Sequence, residues 1–135
     1  MSHERITMRD VFFQAWRKHR EGLLVEPLEQ QLIDIIQLHP EYHALFMDRD
    51  NRLDHDFGSE NPFLHLSLHS ALREQIQTDR PAGIQTLFKN LLVKNADQHS
   101  VEHKMMACLE QVLWQAQQTG KMPDEQEYLR ALKQL

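Results

Sequence analysis

The chain has 135 residues, 41% of them hydrophobic and 26% charged, enough to close one helical domain over 1–135 and bury roughly two-thirds of the unfolded surface. Its single cysteine, Cys108, excludes a disulfide framework or a Cys-rich zinc site, and a net charge of -5 argues against a nucleic-acid binder. No apolar run approaches the roughly 20 residues of a membrane span, and MSHERITMRD lacks the apolar stretch of a secretion signal, so no membrane partner and a cytoplasmic location are expected.

Taken in chain order, the segments read as helices. Thr7 with Asp10 suits a helix start, and Met8, Val11, Phe12 and Trp16 follow helical spacing up to a stop at Gly22. Pro27 opens a second helix with Leu28, Leu32, Ile35 and Ile36 as its stripe. Pro40 disfavours helical geometry at His39 and predicts a break there. A short third helix follows with Tyr42, His43, Leu45 and Phe46. Residues 48–60 form a polar loop. Its acidic residues fit neither register of a calcium-binding loop, because Arg52 or Gly58 falls where an acid or Asn is required.

Asn61-Pro62 is a cap followed by a first-turn proline, and the fourth helix runs to about Thr78. Arg80-Pro81 is expected to open the fifth, with Ile84, Leu87, Phe88, Leu91 and Leu92 on one face. Asp97 is expected to cap a long sixth helix that Gly120 ends, and Asp124 a seventh with Tyr128, Leu129 and Leu132. No strand-period run competes. The predicted fold is all-α, an irregular bundle of about six or seven helices.

Nine histidines are the unusual feature. Three pairs share a spacing of four: His39/His43, His65/His69 and His99/His103. Random scatter would give roughly 0.6 such pairs. Residues four apart share a helix face, with Cβ atoms about 5–6 Å apart, so two imidazoles can chelate one metal ion. On the fourth helix, with His65 at zero, His69 falls at about 40° and Leu72 at about 340°, which puts the pair in line with core residues. On the sixth, with His99 at zero, Glu102 falls at about 300°, between the histidine face and the apolar stripe centred near 270°. A carboxylate there requires a partner, because an unpaired buried charge is costly.

The expected metal ligands are therefore His65, His69, His99 and His103. Glu102 is expected to serve as a ligand or supporting base, with His43 and, less regularly placed, His39 from the third helix. Imidazole with carboxylate favours iron or zinc, and open positions on such an ion would activate oxygen or water. His3, His19 and His55 lack such pairing and are expected at the surface. The fourth and sixth helices are expected to pack with their histidine faces opposed.

HSVEH at 99–103 also matches the H-x-x-E-H pattern of inverse zinc peptidases, in which Glu102 would activate a zinc-bound water. Too little chain follows His103 for that family's distant acidic ligand. Cys108 falls opposite His99 at about 180°, a poor position for a shared site. The metal-free alternative is a protein–protein interaction module, with a protein partner or a second copy of the chain, structural histidines and an exposed patch at Phe12, Phe13 and Trp16.

Several segments, in order, resemble a known bacterial family: FFQAWRKH (12–19), HPEYH (39–43), NPFLHLSLHSALREQ (61–75), DRPAGI (79–84), HSVEHKMMACLEQVLWQAQ (99–117) and PDEQEYL (123–129). The chain is similar to the family catalogued as domain of unknown function 1841. That resemblance implies a small cytoplasmic protein and transfers no catalytic residue. His65/His69 and His99/His103 also resemble the H-x-x-x-H element of hemerythrin-like diiron proteins. The likeness is confined to that spacing and implies neither their fold nor their diiron centre.

Overall fold

A computed structural model describes residues 8–47, 61–95 and 97–135. Among the described residues there are seven helices and no strand: α1 (Met8–Arg20), α2 (Pro27–Gln37), α3 (Pro40–Met47, wound as a 3₁₀ helix), α4 (Pro62–Thr78), α5 (Ile84–Lys94), α6 (Gln98–Thr119) and α7 (Glu125–Lys133). The all-α expectation holds. The chain divides into two compact units, Met1–Ser67 and Leu68–Leu135, with the division falling inside α4. Thr7, the polar loop and its His55, and His3 lie outside the described residues. No described helix is long and apolar enough to cross a membrane.

The first unit is built on aromatic rings. Phe12, Phe13, Ala15 and Trp16 of α1 are buried against Leu32, Ile33, Ile35 and Ile36 of α2, with Leu45, Phe46, Phe63 and Leu66. Phe13 meets Phe46 edge-on at 5.3 Å and Phe63 at 5.9 Å between centroids, arrangements favoured by the ring quadrupoles. Phe12, Phe13 and Trp16 are thus core residues and form no exposed patch. Their stripe is wide enough to need a partner helix, and α2 supplies it.

The boundaries of this unit follow the local chemistry. Gly22 takes a left-handed φ of 67°, and Leu23 N–H donates to Lys18 C=O at 2.9 Å and Gly22 N–H to His19 C=O at 3.2 Å. This is the glycine-closed helix end that satisfies the last carbonyls. Glu29 accepts from the Glu26 N–H at 2.9 Å and pairs with Lys18 at 2.8 Å, joining the start of α2 to α1. The break at Pro40 appears as expected, but α3 that follows is a 3₁₀ turn, opened by Tyr42 N–H donating to His39 C=O at 2.9 Å.

The second unit has an aliphatic and methionine core. Leu72, Ile84, Leu91, Val101, Met105, Met106, Leu109 and Val112 are buried with Tyr128 and Leu132 of α7. The Tyr128 hydroxyl donates to Gln75 Oε1 at 2.6 Å, which gives a buried polar tip its required partner. Burial raises the pKa of that hydroxyl.

Helix α5 begins later than the proline at 81 suggested. Asp79, at φ 52°, accepts through Oδ1 from Gly83 N–H at 3.1 Å and Gln85 N–H at 3.0 Å, and Gly83 takes φ 99°. The aspartate therefore caps the helix across the intervening turn, and the first helical residue is Ile84. Asp97 stands at the cap position of α6 but makes no side-chain cap bond, whereas Asp124 accepts from both Gln126 and Glu127 N–H. Gly120 closes α6 at φ 69°.

Candidate functional site

In the first unit Pro40 ends α2 so that His39 folds inward, 1% exposed. Its Nδ1 donates to the Ile35 carbonyl at 2.7 Å, an oxygen in the last turn of α2 that also accepts from Leu38 N–H at 3.1 Å. In the neutral ring the proton is then on Nδ1, and Nε2 carries the lone pair. That Nε2 lies 3.0 Å from Nε2 of His65, on α4, and in the metal-free protein His65 donates to it. Tyr42 stacks nearly parallel on His39, 5.5 Å away with 8° between planes, and meets His65 edge-on at 6.1 Å.

His43 is directed elsewhere. Its Nε2 donates to the Ile36 carbonyl at 2.9 Å, and its ring packs on Trp16 at 4.8 Å. The spacing of four between His39 and His43 therefore does not make a shared face, because Pro40 interrupts the helix between them and the following turn is 3₁₀. His19 is exposed and bonds to Gln37 at 3.2 Å.

In the second unit α4 and α6 meet through their histidine faces. His69 is fully buried and Glu102 is 2% exposed. Nε2 of His69 donates to Oε1 of Glu102 at 2.9 Å. The His69 ring lies 5.6 Å from His99 and 5.4 Å from His103, and the last two are 4.0 Å apart on successive turns of α6. His65 and His69 stand one turn apart on α4.

Arg73 completes the second group. It donates to Glu102 twice, from Nε to Oε2 and from Nη2 to Oε1, both at 3.1 Å. This is the two-pronged arginine–carboxylate geometry. Gln98 adds a long contact to Oε2 at 3.5 Å. Burial pushes the Glu102 carboxyl upward, but the hydrogen bonds from His69 and Arg73 and the charge of Arg73 outweigh it and hold the pKa down at about 2. The carboxylate is thus ionised and paired, as a buried charge must be. A polar notch of about 140 Å³, lined by Arg73, Gln77, Gln98 and Glu102 with Ile76 and Phe88, opens beside it.

Helical spacing places Glu102 at the edge of the core, where a carboxylate needs partners, and His69 and Arg73 are those partners. Neither Arg73 nor Tyr42 is marked as a site residue by helix periodicity. Arg73 lies four residues after His69 on α4, the same spacing as the histidine pairs, and that was the available signal. The motif HSVEH changes meaning: both Glu102 oxygens are engaged by Arg73 and His69, an anchoring carboxylate instead of a base facing a metal-bound water. Cys108 lines a separate groove of about 380 Å³ with Val112, Ala131 and Leu135, and burial raises its thiol pKa, which suppresses the thiolate a nucleophile needs.

The model of the family described as Domain of unknown function (DUF1841) matches residues 4–134. The chain belongs to this family. No curated protein and no solved structure matches the chain. DUF1841 membership supplies no activity to carry over, so the chemistry rests on the imidazoles and their partners.

Proposed function

We propose that this DUF1841 protein binds a transition metal, iron or zinc, through imidazole nitrogens. In the second unit the ligands are His69, His99 and His103, with Glu102 as outer-sphere anchor. His39 and His65 form a further imidazole pair in the first unit, and His43 is assigned a packing role. The observation that supports this reading is the His69–Glu102 bond at 2.9 Å within a cluster of three imidazole rings. Metal-binding histidines as a rule donate their other ring N–H to a carboxylate or a backbone carbonyl, which fixes the tautomer and raises basicity. His69 has the carboxylate form of this support, and His39 has the carbonyl form through Ile35.

Nitrogen donors with no thiolate suit zinc, iron, copper or nickel, and carboxylate support favours the first two. An ion held by three imidazoles keeps a position open for water or a small ligand. The test is elemental analysis of untagged protein, as isolated and after anaerobic loading with iron(II) or with zinc. The expected result is about one equivalent or more per chain, lost in a His69→Ala, His103→Ala double variant that still gives a helical circular-dichroism spectrum. Less than about a tenth of an equivalent after both loadings would sink the proposal.

A further inference from the structure

We infer that Arg73 is a positioning residue that selects Nδ1 of His69 as the nitrogen presented to a metal. The inference rests on the metal-binding reading and deepens it. A histidine in a metal site uses one of two nitrogens, and the choice is set by what the other donates to. Nε2 of His69 donates to Oε1 of Glu102, so in the neutral ring the lone pair is on Nδ1.

That choice is only as firm as the carboxylate. A glutamate has three rotatable bonds, and alone it could swing its oxygens away from His69 or present them to solvent through the adjoining notch. Arg73 removes this freedom. Its Nε and Nη2 bind one oxygen each, which fixes the carboxylate plane and leaves Oε1 shared between Nη2 and the His69 N–H. The guanidinium is planar, so the two bonds act as a rigid fork; a lysine would supply charge without that geometry. Arg73 itself is 20% exposed and reaches the ring through Glu102. It acts on the candidate site without being a ligand.

A purely structural ion pair would affect stability and leave the ring nitrogens alike. The distinguishing experiment is therefore nitrogen-15 spectroscopy of the histidines in the full-length metal-free protein, together with cobalt(II) competition against a chromophoric chelator. In wild type the His69 proton is expected on Nε2. In Arg73→Met the Nδ1–H tautomer should become populated, and cobalt affinity should fall about 10–100-fold although every ligand is retained. Arg73→Lys should fall between them, and it carries the same test if Arg73→Met does not fold. An unchanged His69 tautomer in these variants, with cobalt affinity within about twofold of wild type, overturns the role of Arg73 and leaves the metal reading standing. No cobalt uptake by the wild type overturns the metal reading, while the tautomer arm still decides whether Arg73 orients His69.

Discussion

In the first unit His39 is held by a backbone carbonyl, that of Ile35 at 2.7 Å; in the second, His69 is held by a carboxylate that is itself clamped by an arginine. Both devices fix a ring and define which nitrogen keeps its lone pair. They differ in what they cost the fold. The carbonyl already exists in the last turn of α2, where it also accepts from Leu38 N–H at 3.1 Å, so His39 uses a neutral backbone acceptor and adds no buried charge. Glu102 brings a charge into a hydrophobic core of leucine, valine and methionine, and it is tolerated only because two partners are in place. The first unit should thus be insensitive to charge chemistry at its imidazole pair, and the second should depend on it.

The largest effect that would break this contrast is loss of Glu102. Glu102→Ala leaves the buried His69 N–H without its acceptor and opens a cavity, and it should cost roughly 3–5 kcal/mol in urea unfolding. The counterpart, His39→Phe, keeps a ring of similar volume against Tyr42 and forfeits the bond to Ile35, for which roughly 1–3 kcal/mol is expected. Equal losses for the two variants would show that the carboxylate anchor carries no special burden.

Acid should separate the units in the same direction. The Glu102 pKa is lowered in the folded chain to about 2 from its ordinary value of 4.5. A depressed folded value means the contribution is fully present above the unfolded pKa and is lost as pH falls through the folded one. Stability of the second unit should therefore drop between about pH 5 and pH 2, by on the order of 2 to 3 kcal/mol. Denaturant melts of wild type and Glu102→Gln across that range test this, since the variant should lose most of the slope. A wild-type profile as flat as that of the variant would rule out the ion-paired carboxylate as the source of acid sensitivity.

Much of this arrangement is legible in the sequence, and the reasons for the rest are physical. Helix periodicity reports which face is apolar, so the stripes of α1, α2 and α6 and the edge position of Glu102 can be read from spacing alone. Caps are legible where side chain and backbone are neighbours, as at Asn61 and Asp124, but not where a cap reaches across a turn, as from Asp79 to Gln85. A spacing of four marks a shared face only on an unbroken α-helix. It holds for His99/His103, whose rings lie 4.0 Å apart, and fails for His39/His43, where Pro40 intervenes. The spacing of four from His69 places Arg73 on the same face of α4 but does not reveal its role, which depends on a carboxylate 29 residues away.

The smallest effects concern the caps, and they sharpen the comparison because a cap should matter by its bonds and not by its charge. Asn61, in the first unit, is neutral and accepts from Phe63 and Leu64 N–H at 2.9 and 3.3 Å. Asp124, in the second, is charged and accepts from Gln126 and Glu127 N–H at 3.0 and 3.2 Å. Asp97 carries the same charge at the start of α6 and makes no side-chain cap bond. Asn61→Ala and Asp124→Ala should each cost about 1 kcal/mol, with a few tenths more for Asp124 from its attraction to the helix dipole. Asp97→Ala has only that dipole term to lose and should cost about 0.3–0.5 kcal/mol. The three single variants, melted side by side at low and high salt, decide the matter: salt should erase the Asp97 effect and leave most of the other two. If Asp97→Ala proves as costly as Asp124→Ala at high salt, α6 is capped by a bond that the present geometry lacks, and the contrast between bonded and merely charged positions fails.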